Sequence, residues 1–314
     1  MTHTSSHEPK PPFASRQVAF LIVGVARSGT TLGQRLAAEL EGVWVPRETH
    51  FWSHYLFSDR KFMPRHMTRS AVRALLSEMQ VPKGKIDLTA DEGAAVLARV
   101  APEGITPWEL FANLVDSLSP DGPQTLGEKT PAHSGIATRL LAQQPALRVV
   151  AIVRDPRAVF ASHLSVPWGI RDSQILAWRW RLTYERLRAA VDAFGRHRVM
   201  LVRYEDIAAD PAGYQADLAA FLDLPLQVSA IKDEELFLDA ETWKHRALDV
   251  PDVTSVDAWR EHLAAADVSL IERITAPVAT LLGYGPTNPA APNLSVDPEI
   301  FWREHWLAAR LDVF

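Results

Sequence analysis

With 314 residues, 47% of them hydrophobic and 23% charged, the chain is long and apolar enough for a large buried core and lies in the ordinary globular range. A formal net charge of -5 excludes a global basic field of the kind that grips nucleic acid or an anionic membrane, so any anion site must be local. The absence of cysteine excludes disulfides and thiolate metal sites.

Residues 1–17 are polar and proline-containing, without the apolar centre of a signal peptide, and are expected to be a disordered lead-in. A single domain is expected from 18 to 314. The apolar run from Val18 to Ala26 is far shorter than the roughly 20 residues that span a bilayer, so a cytoplasmic protein with no membrane span is expected. The run reads instead as a buried strand. It ends in Gly24-Val25-Ala26-Arg27-Ser28-Gly29-Thr30-Thr31 and passes into a helical pattern at Leu32, Leu36 and Leu40. Strand, tight loop and helix hold a phosphate through loop N–H groups and the positive end of the helix. The spacing matches the outline of a P-loop, Gly-x4-Gly-Lys-Ser/Thr, with one departure: Thr30 stands where the lysine belongs, and the cation comes earlier, as Arg27.

Gly42 to Val45 reads as a second strand, and Glu48 falls just beyond its carboxyl end, where ligands sit in open parallel sheets. Residues 52–124 carry helical patterns (Arg69 to Met79, Asp91 to Val100, Pro107 to Leu118) and are read as a mostly helical insertion that recognises the acceptor. Thr125 to Lys129 is a short strand, followed by a helix from Ser134 to Gln143. Leu147 to Val153 is the second strong buried strand, ending in Arg154-Asp155-Pro156-Arg157 with Pro156 placed to start a helix. A long helix covers Ser173 to Phe194, a strand Val199 to Val202, and helices Gln215 to Leu222, Ser255 to Ala265 and Val268 to Leu282. Residues 224–254 show no clear period, and 286–314 form a C-terminal tail. This alternation predicts an α/β protein: a P-loop-like three-layer fold, its central parallel sheet flanked by helices.

Taken together, Arg27-Ser28-Gly29-Thr30-Thr31, Arg154 with Ser162 eight residues on, Tyr204-Glu205-Asp206, Trp259 and Leu282-Gly283-Tyr284 resemble, in order, the motifs of the sulfotransferase family that uses 3′-phosphoadenosine 5′-phosphosulfate (PAPS). The likeness is greatest to the Golgi-type and tyrosylprotein-like branch and its bacterial relatives. It implies that Arg27, Ser28, Gly29, Thr30 and Thr31 hold the phosphosulfate and that Arg154 and Ser162 hold the 3′-phosphate. Tyr204 is expected at the nucleotide, and Lys244 and Arg246 on a loop over the 3′-phosphate, although that segment matches the family poorly. Leu32 replaces the tryptophan that other members stack on adenine. Glu48 fits the place of the family's general base, with His50 as its partner or a substitute base. Lys129, in Glu128-Lys129-Thr130-Pro131, fits a lysine beside the transferring group, and His133 is a further pocket candidate. The resemblance implies direct in-line transfer to a small-molecule, carbohydrate or lipid hydroxyl, releasing adenosine 3′,5′-bisphosphate (PAP), with no metal and no nucleic-acid partner. Two other readings compete. A P-loop-like small-molecule kinase or nucleotidase is opposed by the missing lysine, and a non-catalytic nucleotide-binding protein by the presence of both Glu48 and Lys129.

Overall fold

The computed structural model describes residues 17–56, 64–81, 86–120, 125–229 and 256–287. Five parallel strands form one sheet: β1 (Val18–Val23), β2 (Val43–Trp44), β3 (Thr125–Lys129), β4 (Arg148–Val153) and β5 (Val199–Arg203), in the order β2-β3-β1-β4-β5. In β1 the alternation of a strand divides the core. Leu21 and Val23 join the larger apolar cluster on one face, while Phe20 and Ile22 join the smaller one on the other. β4 divides the same way, with Val149, Ala151 and Val153 on one side and Val150 and Ile152 on the other. Strands covered on both faces read as continuous apolar runs, which is why these two were the strongest strand signals in the sequence.

Helices α1 (Thr30–Ala38), α8 (Tyr204–Ala209) and α9 (Pro211–Phe221) supply the smaller cluster. The larger cluster contains α2 (Arg69–Met79), α3 (Ala90–Ala98), α4 (Pro107–Ser117), α5 (Ala137–Gln143), α6 (Pro156–Leu164), α7 (Ser173–Phe194) and α11 (Ala265–Ala279). Local chemistry sets several of these starts. Thr89 with Glu92 and Thr106 with Glu109 form capping boxes for α3 and α4, Thr68 caps α2, and Asp172 caps α7. Asp155 caps α6, and Pro156 takes its first position, where no N–H is needed.

Several expected boundaries move. The helix placed at Ser134–Gln143 begins as a 3-10 turn, Pro131–Gly135, and becomes α-helical only at Ala137. The helix expected over 255–265 is one turn, α10 (Trp259–His262), because Leu263 is extended. The last helix therefore starts at Ala265 and closes with a 3-10 turn, Thr280–Leu282. Gly283, at φ 84°, takes the left-handed position that ends it, and Tyr284 N bonds back to Ala279 O at 2.9 Å. After β2 the chain makes a π-helical turn, Phe51–Leu56, which the sequence did not announce. Trp178 and Trp180 are both buried core side chains.

Candidate active site

Strand order lays out the site. All five strands are parallel, so their carboxyl ends lie along one edge, about 19 Å from β2 to β5 at the usual strand spacing. The loop after β1 is in the middle. β3 and β2 bring Lys129 and Glu48 to one side of it, and β4 and β5 bring Arg154 and Tyr204 to the other.

The loop is shaped by what touches it. A Cβ on Gly24 would stand 2.5 Å from Ile152 O, so β1 leaves the sheet too close to β4 for a side chain there. Gly29, at φ 88°, is the N-cap of α1, and a Cβ on it would collide with the Tyr204 ring. Having no side chain, Gly29 leaves the first N–H groups of α1 uncapped from within the loop, the arrangement that suits an anion. Arg27 also has positive φ, 71°. Its Nε donates to Ser162 Oγ at 3.1 Å, so the loop cation and the α6 serine meet directly.

Two residues that the sequence did not single out hold the loop from below. The Tyr184 hydroxyl accepts from Val25 N at 3.1 Å, donates to Ile152 O at 2.8 Å and lies 3.1 Å from Ser28 Oγ. Its single hydrogen is committed to Ile152, so Ser28 is the donor in that pair. The Ser28 hydroxyl is thus fully buried and faces Tyr184. Burial raises the Tyr184 pKa, which keeps it a donor at any working pH. His163 spans Ala26 O, 3.2 Å from its Nε2, and Ile170 N, which donates to its Nδ1 at 3.1 Å.

His163 also gives the loop a pH dependence. Burial, together with the charges of Arg179, Arg27 and Arg171 around it, pushes its pKa down to about 4 despite the favourable bond to Ala26. Between its ordinary value near 6.5 and about 4, the unfolded chain takes up a proton that the folded one refuses. The His163 contribution to stability should therefore fall by about 3 kcal/mol as the pH drops through that window. Urea midpoints at pH 7 and pH 4.5, compared with those of His163→Gln, test this: the variant should lose most of that slope.

On the β3 side, Lys129 Nζ pairs with Glu48 Oε1 and lies 3.4 Å from Thr31 Oγ1. Glu48 Oε2 is 3.2 Å from His50 Nε2. Lys129 is buried and Glu48 nearly so. Arg47, next to Glu48 in the chain, makes a bond from one guanidinium nitrogen to each carboxylate oxygen of Glu92, at 3.0 Å. On the other side, the Arg154 guanidinium lies over the Tyr204 ring, 4.3 Å from its centroid, and Trp180 Nε1 donates to Arg154 O at 2.9 Å. Asp155 forks onto Arg157 at 2.6 and 2.9 Å, and Glu128 is held by Thr49, Thr130 and His133. Glu205 accepts from Asp155 N at 3.0 Å and from the Tyr284 hydroxyl at 2.6 Å, which ties the Tyr-Glu-Asp segment to the end of the last helix. Arg157, paired also with Glu272 at 2.6 Å and stacked on Trp259, anchors the same helix, which explains why Trp259 and Tyr284 belong to one pattern.

Of the residues expected at the site, the structure thus joins Lys129 to both Glu48 and Thr31, Arg27 to Ser162, and Arg154 to Tyr204 and through it to Gly29. Thr30 is buried at the start of α1. Lys244 and Arg246 lie outside the described residues.

A sulfotransferase family model matches residues 19–228, more than half of the chain. The chain is 34% identical over 108 residues to carbohydrate sulfotransferase 3 of Homo sapiens, covering 27% of this chain and 22% of that protein. It is 27% identical over 254 residues to carbohydrate sulfotransferase 1 of Mus musculus, covering 71% of this chain and 58% of that one. The matches therefore span less than two thirds of either relative. Among solved structures, the fold is shared with the sulfotransferase domain from the curacin biosynthetic pathway (TM-score 0.60, 16% identity, 86% of this chain and 99% of that one). It is shared equally with the sulfotransferase domain from the Synechococcus PCC 7002 olefin synthase (TM-score 0.61, 18% identity, 86% and 95%).

Proposed function

The chain belongs to the sulfotransferase family, and from that premise we propose that it transfers a sulfuryl group from PAPS to an acceptor hydroxyl, with Glu48 as the general base. The observation that carries this reading is Lys129 standing between Glu48, with which it pairs, and Thr31, so that Glu48 lies one side chain away from an anion loop that has no P-loop lysine. The loop N–H groups, Arg27 and the hydroxyls of Thr30 and Thr31 are suited to the phosphosulfate. Arg154, Ser162 and Tyr204 are suited to the adenosine 3′-phosphate.

In the transfer, the acceptor oxygen forms a bond to sulfur as its proton passes to Glu48. The bond from sulfur to the bridging phosphate oxygen breaks, and its electron pair leaves with PAP. Arg27 stabilises the charge that grows on that bridging oxygen, and Lys129 the charge on the sulfuryl oxygens. Burial of Lys129 in a low-dielectric site makes its charge worth more there than in water. The carbohydrate sulfotransferase relatives support a hydroxyl acceptor, and a carbohydrate, lipid or small-molecule hydroxyl is the class proposed. The helices α2 to α4 within residues 52–124 are the proposed acceptor-facing part, and the cytoplasm the proposed location.

Thermal denaturation tests the donor. PAP at about a hundred times its dissociation constant, without Mg²⁺, should raise the melting temperature by about 5 °C, and ATP should not. Stabilisation by ATP with Mg²⁺ and none by PAP would overturn the reading in favour of a kinase or nucleotidase.

A further inference from the structure

Four successive backbone N–H groups follow Glu48, and a side chain takes each of them. Thr49 N donates to Glu128 Oε1 at 3.1 Å, His50 N to Thr130 Oγ1 at 3.2 Å, Phe51 N to Thr49 Oγ1 at 3.3 Å, and Trp52 N to His133 Nε2 at 3.2 Å. Those acceptors converge on one buried carboxylate. Glu128 receives the Thr49 hydroxyl at 2.8 Å, the Thr130 hydroxyl at 2.6 Å and His133 Nδ1 at 2.8 Å. Thr49, Glu128, Thr130 and His133 are all fully buried.

The bonding leaves His133 one arrangement. Its Nε2 accepts from a backbone amide, which has no second hydrogen to give, so the ring hydrogen is on Nδ1 and points at Glu128. A ring held this way has no nitrogen for an acceptor hydroxyl. Burial alone would raise the Glu128 pKa. The hydrogen bonds donated by His133, Thr130 and Thr49 oppose burial and hold the carboxyl below its usual range, which keeps all four donors satisfied.

β3 then works on both its sides. Successive strand side chains point to opposite faces, so Glu128 grips the loop that follows Glu48 while Lys129, the next residue, grips Glu48 itself. We infer that Glu128 and His133 form a positioning pair that fixes the loop bearing Glu48, so that the carboxylate meets Lys129 and the acceptor in one geometry. Neither member touches the reacting atoms. The inference rests on the reading of Glu48 as the base.

Three measurements test it. Nitrogen-15 NMR of histidine-labelled protein should show the His133 ring with its hydrogen on Nδ1 at neutral pH; a hydrogen on Nε2 would overturn the pairing whatever the activity. Turnover is read as PAP released from PAPS, with water and a panel of glycoside and phenol hydroxyls as acceptors. His133→Phe removes both bonds and should lower PAP release by roughly a hundredfold, the scale of a misplaced reacting group, with PAP affinity within about twofold of the parent. His133→Gln offers an amide N–H for Nδ1 and an amide oxygen for Nε2, and should recover at least about tenfold over His133→Phe. A glutamine variant as inactive as the phenylalanine one would make His133 a proton carrier and sink the positioning role. So would a His133→Phe protein whose PAP affinity falls in step with its turnover, because that marks general collapse of the site. Should the parent release no PAP from PAPS with any acceptor, the proposed donor reaction fails, and the NMR arm still decides the pairing.

Discussion

Glu48→Gln is expected to lower PAP release from PAPS by about a hundredfold to ten-thousandfold, the range attributed to a positioned general base, while PAP still binds. The amide keeps the size of the carboxylate and an oxygen for Lys129, but cannot take the acceptor's proton. That choice matters because Lys129 is buried and its Nζ is paired with Glu48. Removing one partner of a buried pair costs about 3–5 kcal/mol, so Glu48→Ala would mix a loss of stability with a loss of chemistry. Circular dichroism and the PAP-induced melting shift separate the two in the glutamine variant. Near-parental turnover from a folded Glu48→Gln protein would remove the base assignment and turn attention to His50, whose Nε2 lies 3.2 Å from the Glu48 carboxylate.

Much of this site was legible in the sequence because its signals are local. A β-branched run, a glycine-containing turn and a 3.6-residue apolar period lie next to each other in residues 18–40, and each announces its own element. Arg154 and Pro156 mark a strand end and a helix start in the same way. What supports the loop was not legible. Tyr184 reaches Ser28 across 156 positions and His163 reaches Ala26 across 137, and nothing in a long amphipathic helix distinguishes a tyrosine that carries a loop from one that fills the core. Glu48 illustrates the same limit. The parallel pairing of β2 with β3 delivers Lys129 to it from 81 positions away, a partner that no neighbouring stretch of sequence announces. The role of Glu128 was hidden by its neighbour, since the period of a strand places Glu128 and Lys129 on opposite sides and only one of those sides is the site. The closing helices were displaced for a further reason: apolar periodicity continues through Leu263, where the backbone is extended and the pattern alone gives no break.

Arg27→Ala should lower turnover by about a hundredfold to a thousandfold, as loss of a charge-stabilising donor does, and should also weaken PAP binding. Arg27 has two connections that make the effect more than local. Its guanidinium Nε bonds Ser162 on α6, and its backbone sits at φ 71°, between Ala26, which His163 holds, and Ser28, which Tyr184 holds. The arginine therefore joins the loop proposed for the phosphosulfate to the serine proposed for the 3′-phosphate. Arg27→Lys should not restore activity, because an ammonium lacks the planar fork that can bond Ser162 and an anion oxygen together. Ser162→Ala alone should weaken PAP binding by a smaller factor. If one hydrogen bond couples the two ends of the nucleotide site, the double variant should fall short of the sum of the singles by about 0.5–3 kcal/mol in PAP binding. Strict additivity would mean that Arg27 and Ser162 act on separate groups and that their bond gives way when the nucleotide binds. Full activity in Arg27→Ala would show that the displaced cation, the one departure from a P-loop that set this chain apart, is not part of the chemistry.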